Sequence, residues 1–293
     1  MAQHFKDAYH KEVVRLFDSI AGKYSRWQLW ADFMLMSAIA ISNSVDIEQR
    51  EEREKIYMQT AAKYTNNDTS VMAQIFSTLV DAYEQNPNQD LLGELYMALN
   101  LGNSKAGQFF TPYNICSLMA KVNVTHAVSK IEENGYISVN DPACGAGALL
   151  IAFANELKSV GVNYQMSCMF VAQDIDLITA CMCYIQLSLL GCPGYVVVGD
   201  TLCNPFTVTD KHGFFPNHEN HTVWYTPMYF SEIWHWRKLA SRMDACLGLP
   251  MRPKIDEKPV EKEAETIECE KPEPPDTQVS EMPQNEYGQL SFF

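Results

Sequence analysis

No apolar run in the 293-residue sequence is long enough to cross a bilayer; the most apolar N-terminal stretch, "LWADFMLMSAIAIS", is short and is broken by Asp32. Met1 does not lead into the basic-then-apolar pattern of a secretory signal. Together these absences predict a cytoplasmic protein with no membrane contact. Paired cysteine spacings are missing as well. The nine cysteines are scattered, and neither "CMC" (Cys181 to Cys183) nor "HENH" (His218 to His221) has the companions a zinc site needs. Buried thiols and no metal are expected. Positive charge is scarce, with 22 Lys and Arg against 36 Asp and Glu and a net charge of −14. Residues 250–293 hold 11 acidic and 5 basic residues, a net of −6, which leaves −8 for residues 1–249. This balance excludes a broad basic face, so a polyanion has to be met by a local patch or through a partner. No internal repeat is visible.

The 47% hydrophobic content can fill one sizeable core and a smaller accessory domain. Residues 1–100 read as an N-terminal helical domain. "EVVRLFDSIAGKYSRWQLWADFMLMSAIAI" carries apolar residues at three- and four-residue spacing, and Asp68 and Thr69 are candidate N-caps for "SVMAQIFSTLVDAYEQ", which stops before Pro87. From Tyr136 the period changes. "YISVN", "CMFVAQ", "YVVVG" and "TVWYT" are short β-branched or aromatic runs, and the earlier ones are separated by helical stretches. Over residues 101–249 that alternation predicts an α/β fold, a doubly wound sheet of parallel strands with right-handed crossovers. Helix "SEIWHWRKLASRMDACLG" follows the last strand. Residues 250–293, rich in Pro and Glu, have too few large apolar side chains to offset the entropy of ordering, and a disordered acidic tail is expected.

In an α/β sheet the turn at the carboxyl end of the first strand is where a ligand sits. Here it reads "DPACGAGALLIAF", Asp141 to Phe153. Gly145 and Gly147 let the backbone turn and approach a ligand closely, while Ala146 and Ala148 keep helix and strand together. The third glycine of a dinucleotide fingerprint is missing, and so is the lysine of a phosphate loop. In their place stands Asp141, an acid that repels pyrophosphate and pairs with an amine. Asp174, at the end of the next strand, is placed to accept from ribose hydroxyls, and Asp200 ends the third. Three acids at successive strand ends suit a ligand carrying an amine, a ribose and an adenine: S-adenosylmethionine.

Four strings in order, "LGELYMALNLGNSKAGQFFTPYNICSLMAKV", "DPACGAGALLI", "AQDIDLITACMCYIQLSLLG" and "GDTL", resemble the N6-adenine DNA methyltransferases of the type I restriction–modification methylase subunit family, from about Leu91 to Leu202. The resemblance implies a Rossmann-like sheet that binds S-adenosylmethionine, within a restriction–modification or mobile-element system. It implies that Gly107 to Pro112 closes over the methionine end of the cofactor through Phe110, Thr111 and Pro112. Asp141, Ala143, Gly145 and Gly147 would wrap the cofactor, Asp174 and Ile175 would meet its nucleoside, and Asp200 would complete the set. DNA would be the substrate, with sequence reading delegated to a separate specificity subunit. The family's sheet continues past its fourth strand, so this sheet is expected to be truncated on its C-terminal side, leaving an edge for the N-terminal helices or another subunit to cover.

Methylating adenine's exocyclic amine requires a flipped base, acceptors for the amine hydrogens and an aromatic face. The family supplies these from Asn-Pro-Pro-Phe/Tyr after the fourth strand, a motif this sequence lacks. "CNPF" (Cys203 to Phe206) follows Asp200 with no room for a strand between. Thr226-Pro227-Met228-Tyr229, after the run Val223 to Tyr225, is the better-placed candidate: the Thr226 hydroxyl and Pro227 carbonyl would accept and Tyr229 would stack. Because Thr is the poorer acceptor, two other readings stay open. One is a methylase-like module that binds S-adenosylmethionine and DNA as a scaffold or regulator without chemistry; the other is methylation of RNA or protein. Finally, Gln289, Leu290, Ser291, Phe292 and Phe293 resemble the peptide by which bacterial proteins dock on the DNA polymerase sliding clamp. Such a peptide would raise the effective concentration of a weak DNA binder at newly replicated DNA.

Overall fold

Hydrophobic periodicity of 3.6 gives way to periodicity of 2 near residue 136, and the architecture follows that switch. The computed structural model describes residues 8–101, 110–210, 212–218 and 221–247. Helices come first: α1 (Ala8–Ala21), α2 (Arg26–Asn43), α3 (Arg50–Ala61), α4 (Asn66–Gln85), α5 (Leu91–Ala98) and the long α6 (Tyr113–Asn134). Then β1 (Ile137–Asp141), β2 (Cys168–Asp174) and β3 (Gly194–Val198) alternate with α7 (Ala148–Ser159), the single turn α8 (Tyr164–Ser167) and α9 (Leu177–Leu189). β4 (Thr222–Tyr225), a 3-10 turn (Pro227–Phe230) and α10 (Glu232–Leu247) complete the described chain. The expected acidic tail with Gln289 to Phe293, and Gly107 to Phe109 of the Gly107–Pro112 segment, lie outside the described residues. None of the helices among the described residues is long and apolar enough to cross a membrane.

Local capping differs from expectation at α4. Its N-cap is Thr65, in a capping box with Asp68, so the helix starts before the expected Asp68–Thr69 pair. Asp68 is the third residue of the helix, and its carboxylate also takes Lys23 Nζ at 2.7 Å and Tyr24 Oη at 2.8 Å, which ties α4 to the end of α1.

The sheet order is β1-β2-β3-β4, with β1, β2 and β3 parallel. Side chains alternate between two cores. Cys168, Phe170 and Ala172 of β2 join a large cluster that runs without a break from Val13 in α1 to Trp224 in β4. Met169 and Val171 point the other way and meet Tyr195, Val197, Phe214, Tyr229 and Trp234 in a smaller, aromatic-rich cluster. Burial on both faces explains why β2 and β3 read as nearly continuous apolar runs.

β4 departs from the all-parallel expectation, pairing antiparallel with β3 in a register that sets Tyr225 opposite Tyr195 and Thr222 opposite Val198. A parallel return needs a crossover, usually a helix. Among the described residues the β3–β4 connection contains no helix, so the chain folds back along the strand it has just left. Nor is β4 an open edge. Arg53 of α3 donates to the Val223 carbonyl at 2.8 Å, lies 4.1 Å over the Trp224 ring, pairs with Asp46 at 3.0 Å and also meets Ser42 Oγ. The N-terminal helices therefore cover the last strand, and β1 is the opposite edge of the sheet. Its core-facing Ile137 and Val139 are half-buried, whereas Ser138 and Asn140 are exposed.

The Arg53 and Asp46 side chains are only 5% and 6% exposed, so removing one partner strands a buried charge. Arg53→Ala is expected to lower unfolding free energy by about 3–5 kcal/mol in urea titrations, with Arg53→Lys recovering part of the loss.

Candidate functional site

Leaving β1, the chain reverses through Cys144–Gly147 before α7. Gly145 (φ +55°) and Gly147 (φ +96°) both take the left-handed region. A β-carbon on Gly147 would stand 2.9 Å from Cys183 Sγ of α9, and one on Gly145 would stand 3.1 Å from the Phe110 ring. The glycines thus allow close approach of a helix on one side and an aromatic side chain on the other. Four hydrogen bonds fix the turn. Cys144 N donates to the Gln173 carbonyl at 2.9 Å, Gly145 N to Asp174 Oδ2 at 2.9 Å, and Gly147 N to the Cys144 carbonyl at 2.8 Å. From α9, Gln186 Nε2 donates to the Ala146 carbonyl at 2.6 Å.

The three sequence-predicted acids end adjacent parallel strands at one edge of the sheet. Their environments differ. Asp141 accepts from Ala143 N at 3.2 Å, and burial pushes its carboxyl above the usual range, with the neighbouring Asp174 charge adding to the effect. Burial also raises Asp174, against the backbone donors Asp176 and Gly145. Asp200 instead caps its own loop, accepting from Leu202 N at 2.8 Å and Cys203 N at 3.0 Å, and those bonds hold it below the usual range. Asp141 and Asp174 are therefore partly buried neighbours at this edge, and of the three only they have carboxyls raised by burial. Phe110, 5.4 Å from the Tyr96 ring, lies on the turn; Thr111, Pro112 and Ala143 are exposed, and so is Ile175 at 68%.

Thr226, Pro227 and Tyr229 are at the other edge. The antiparallel direction of β4 carries its carboxyl end to the amino ends of β2 and β3, so the expected grouping of these residues with the acids does not occur. Thr226 is fully buried, with its hydroxyl donating to the Cys192 carbonyl at 2.7 Å and accepting from Gly194 N at 2.9 Å. Tyr229 is spent on the Phe214 carbonyl at 2.8 Å and lies under Lys238 Nζ, 3.3 Å from its ring centre. The less favoured "CNPF" is the one at the acid edge. Its loop is tethered by Thr201 Oγ1 on the Pro142 carbonyl and by His221 Nε2, 2.9 Å from the Asn204 carbonyl oxygen, with Asn204 exposed.

Sequence reasoning missed Gln186 and Asp90. Gln186 is a lone amide in the apolar run "CMCYIQLSLL", and at 0% exposure it uses its whole capacity: Nε2 reaches Asp90 Oδ1 (2.8 Å) and Ala146 O, while Oε1 takes Leu92 N (3.0 Å) and Tyr83 Oη. Polar singletons inside apolar helices are the signal that could have found it. Gly147→Ala is expected to destabilise the fold by about 1–3 kcal/mol in chemical denaturation, since an alanine there is strained in φ and also meets Cys183.

The family pattern of the N-6 DNA methylases matches residues 87–244, more than half of the chain. Among solved structures, the chain is similar to a Listeria monocytogenes protein assigned to the class I S-adenosylmethionine-dependent methyltransferases, at 16% identity and TM-score 0.37 over 78% of this chain and 77% of that one. No curated protein sequence matches. Residues 87–244 contain the glycine turn, all three acids and Phe110 to Pro112, and the chain belongs to the N-6 DNA methylase family.

Proposed function

We propose that the chain binds S-adenosylmethionine across the carboxyl ends of β1 and β2 and transfers its methyl group to the exocyclic amine of adenine in DNA. S-adenosylmethionine is the methyl donor that family membership brings, and when bound it supplies an electrophilic methyl group on a sulfonium. The observation that carries the reading is the pair Asp141 and Asp174, partly buried beside the left-handed turn at Gly145 and Gly147. Burial disfavours their charge, and a cationic ligand restores it. Asp174 accepts two backbone donors, and an ionised carboxylate has about four acceptor directions. The unused capacity would take ribose hydroxyls. Phe110, Thr111 and Pro112 would flank the amino-acid end, Ala143 would border the turn, and Ile175 would offer apolar surface to the adenine whose amine faces Asp200. On the acceptor side, Asn204 has a side-chain carbonyl suited to an amine hydrogen and stands in the loop at this edge. A separate specificity subunit and a sliding clamp bound through Gln289 to Phe293 would bring an acidic protein to DNA, in a restriction–modification or mobile-element setting.

The burial of Thr226 at the opposite edge favours a second reading, a cofactor- and DNA-binding module that acts as a scaffold or regulator without methyl transfer. Mass spectrometry of host DNA after expression separates the two. N6-methyladenine that appears with the wild type and disappears with Asp141→Asn supports the enzyme; its absence even with a candidate specificity subunit leaves the scaffold.

Cofactor affinity should depend on pH. Both carboxyls titrate above the ordinary range near about pH 4, so affinity rises as pH climbs through their raised values and falls again on acidification. Stability of the free protein runs in the opposite sense. The contribution of these two groups is full below the unfolded pKa and is lost as pH rises through the raised folded values. Calorimetric titrations with S-adenosylhomocysteine across pH 4 to 8 should lose most of this dependence in Asp141→Asn/Asp174→Asn.

A further inference from the structure

A cleft of about 920 Å³ opens between α5 and the start of α6, with Asp90, Glu94 and Met97 on one wall and Thr111, Asn114 and Leu118 on the other. Its size is in the range of small-molecule sites. Phe110 also lines it, and the same ring lies against Gly145, so only that side chain stands between the cleft and the glycine turn.

Asp90 is the unusual member. Only 3% exposed, it caps α5 with one oxygen, Oδ1, which accepts from Gly93 N at 3.0 Å and from Gln186 Nε2 at 2.8 Å. Its other oxygen, Oδ2, accepts no hydrogen bond among the described residues. A β-carbon on residue 93 would fall 2.1 Å from Oδ2, so glycine at that position lets the carboxylate lie flat over the helix start and keep this orientation. The other charged side chains nearby lie close to groups of their own. Glu94 is 3.3 Å from His10 Nε2, and Lys121 reaches Glu156 at 3.9 Å. Burial drives the Asp90 carboxyl upward, and the two donors to Oδ1 oppose that. The Asp90 carboxylate is nearly buried, and Oδ2, which accepts from no described residue, is free to take a donor from a group in the cleft that Asp90 lines.

The distance to the turn is short, because one Gln186 amide nitrogen donates both to Asp90 Oδ1 and to the Ala146 carbonyl. We infer that Asp90 Oδ2 binds the ammonium group at the amino-acid end of the methyl donor, as a fourth acid that comes from the helical region and not from a strand end. This assignment rests on the cofactor reading above and adds a named contact to it. Asp90 would set the depth to which the amino-acid end enters, and Gln186 would hold that depth in register with the glycine turn.

Two ligands isolate the contact: S-adenosylhomocysteine keeps the amine, and 5′-deoxy-5′-methylthioadenosine lacks the whole amino-acid end. In calorimetric titrations Asp90→Asn, which keeps the cap, should weaken S-adenosylhomocysteine roughly tenfold or more, the scale of one charge-assisted hydrogen bond, and methylthioadenosine less than about twofold. Gly93→Ala, whose β-carbon would meet all three atoms of the Asp90 carboxyl group, should weaken S-adenosylhomocysteine at least as much as Asp90→Asn. Equal losses for both ligands, or none for S-adenosylhomocysteine, would overturn the assignment. If the wild type binds neither ligand, the cofactor reading itself fails, and that outcome is distinct from a wild type that binds both while Asp90→Asn matches it.

Discussion

Immobilising the backbone of Cys144–Gly147 is the constraint on which the remaining geometry depends. A turn between a strand and a helix has no ladder or helical ring to satisfy its N–H and C=O groups, so each must find a partner elsewhere. Here the partners are Gln173 and Asp174 of β2 and Gln186 of α9. A hydrogen bond contributes only about 1 kcal/mol net, but a buried group left unpaired costs about 1–3 kcal/mol. The turn is therefore specified by the penalty for displacement more than by the gain from each bond. Because Gln186 also grips Tyr83, Asp90 and Leu92, the pairing of β1 with β2, the packing of α9 and the placement of α4 and α5 are one mechanical unit.

Electrostatics give that unit its chemical character. Asp141 and Asp174 are placed where burial opposes their charge, within a chain of net charge −14. Such a crevice attracts a compact cation and repels a polyanion. Cations are found on α10, where Arg237, Lys238 and Arg242 lie over Tyr136, Tyr229 and Phe215 on the second face of the sheet. A DNA strand at the carboxyl edge would meet carboxylates first. The proposed partner would resolve that conflict by supplying cations for the phosphate backbone.

Much of this was legible in the sequence because it is local. The strand runs, the glycines after β1 and the acids at three strand ends each follow from a few consecutive residues, and all appear within a residue or two of expectation. What failed was nonlocal. Nothing within "TVWY" says whether it pairs parallel or antiparallel; the answer lies in a connection without a helix among its described residues and in Arg53, 170 positions before its partner Val223. Asp90 and Gln186, 96 positions apart, are ordinary as neighbours of their own sequence and become informative only when paired. Asp200 adds a local detail that its position alone does not show. It stands just past the end of β3, and one of its carboxylate oxygens also serves its own loop.

Strand direction also decides which short motif can share a site with the acids. In a parallel sheet every strand delivers its following residues to the same edge, so motif order along the chain maps onto one crevice. A single antiparallel strand breaks the mapping. The residues after β4 emerge beside Gly194, at the start of β3, and the Thr226 hydroxyl becomes a latch between the two strands. The residues before β4, by contrast, descend from the carboxyl edge, and that is where His221 reaches the Asn204 carbonyl and Thr201 reaches Pro142. The connection that sequence order makes look too short for a catalytic element is thus the one that lies beside the glycine turn, and the well-spaced tetrapeptide after β4 is held on the far side of the sheet.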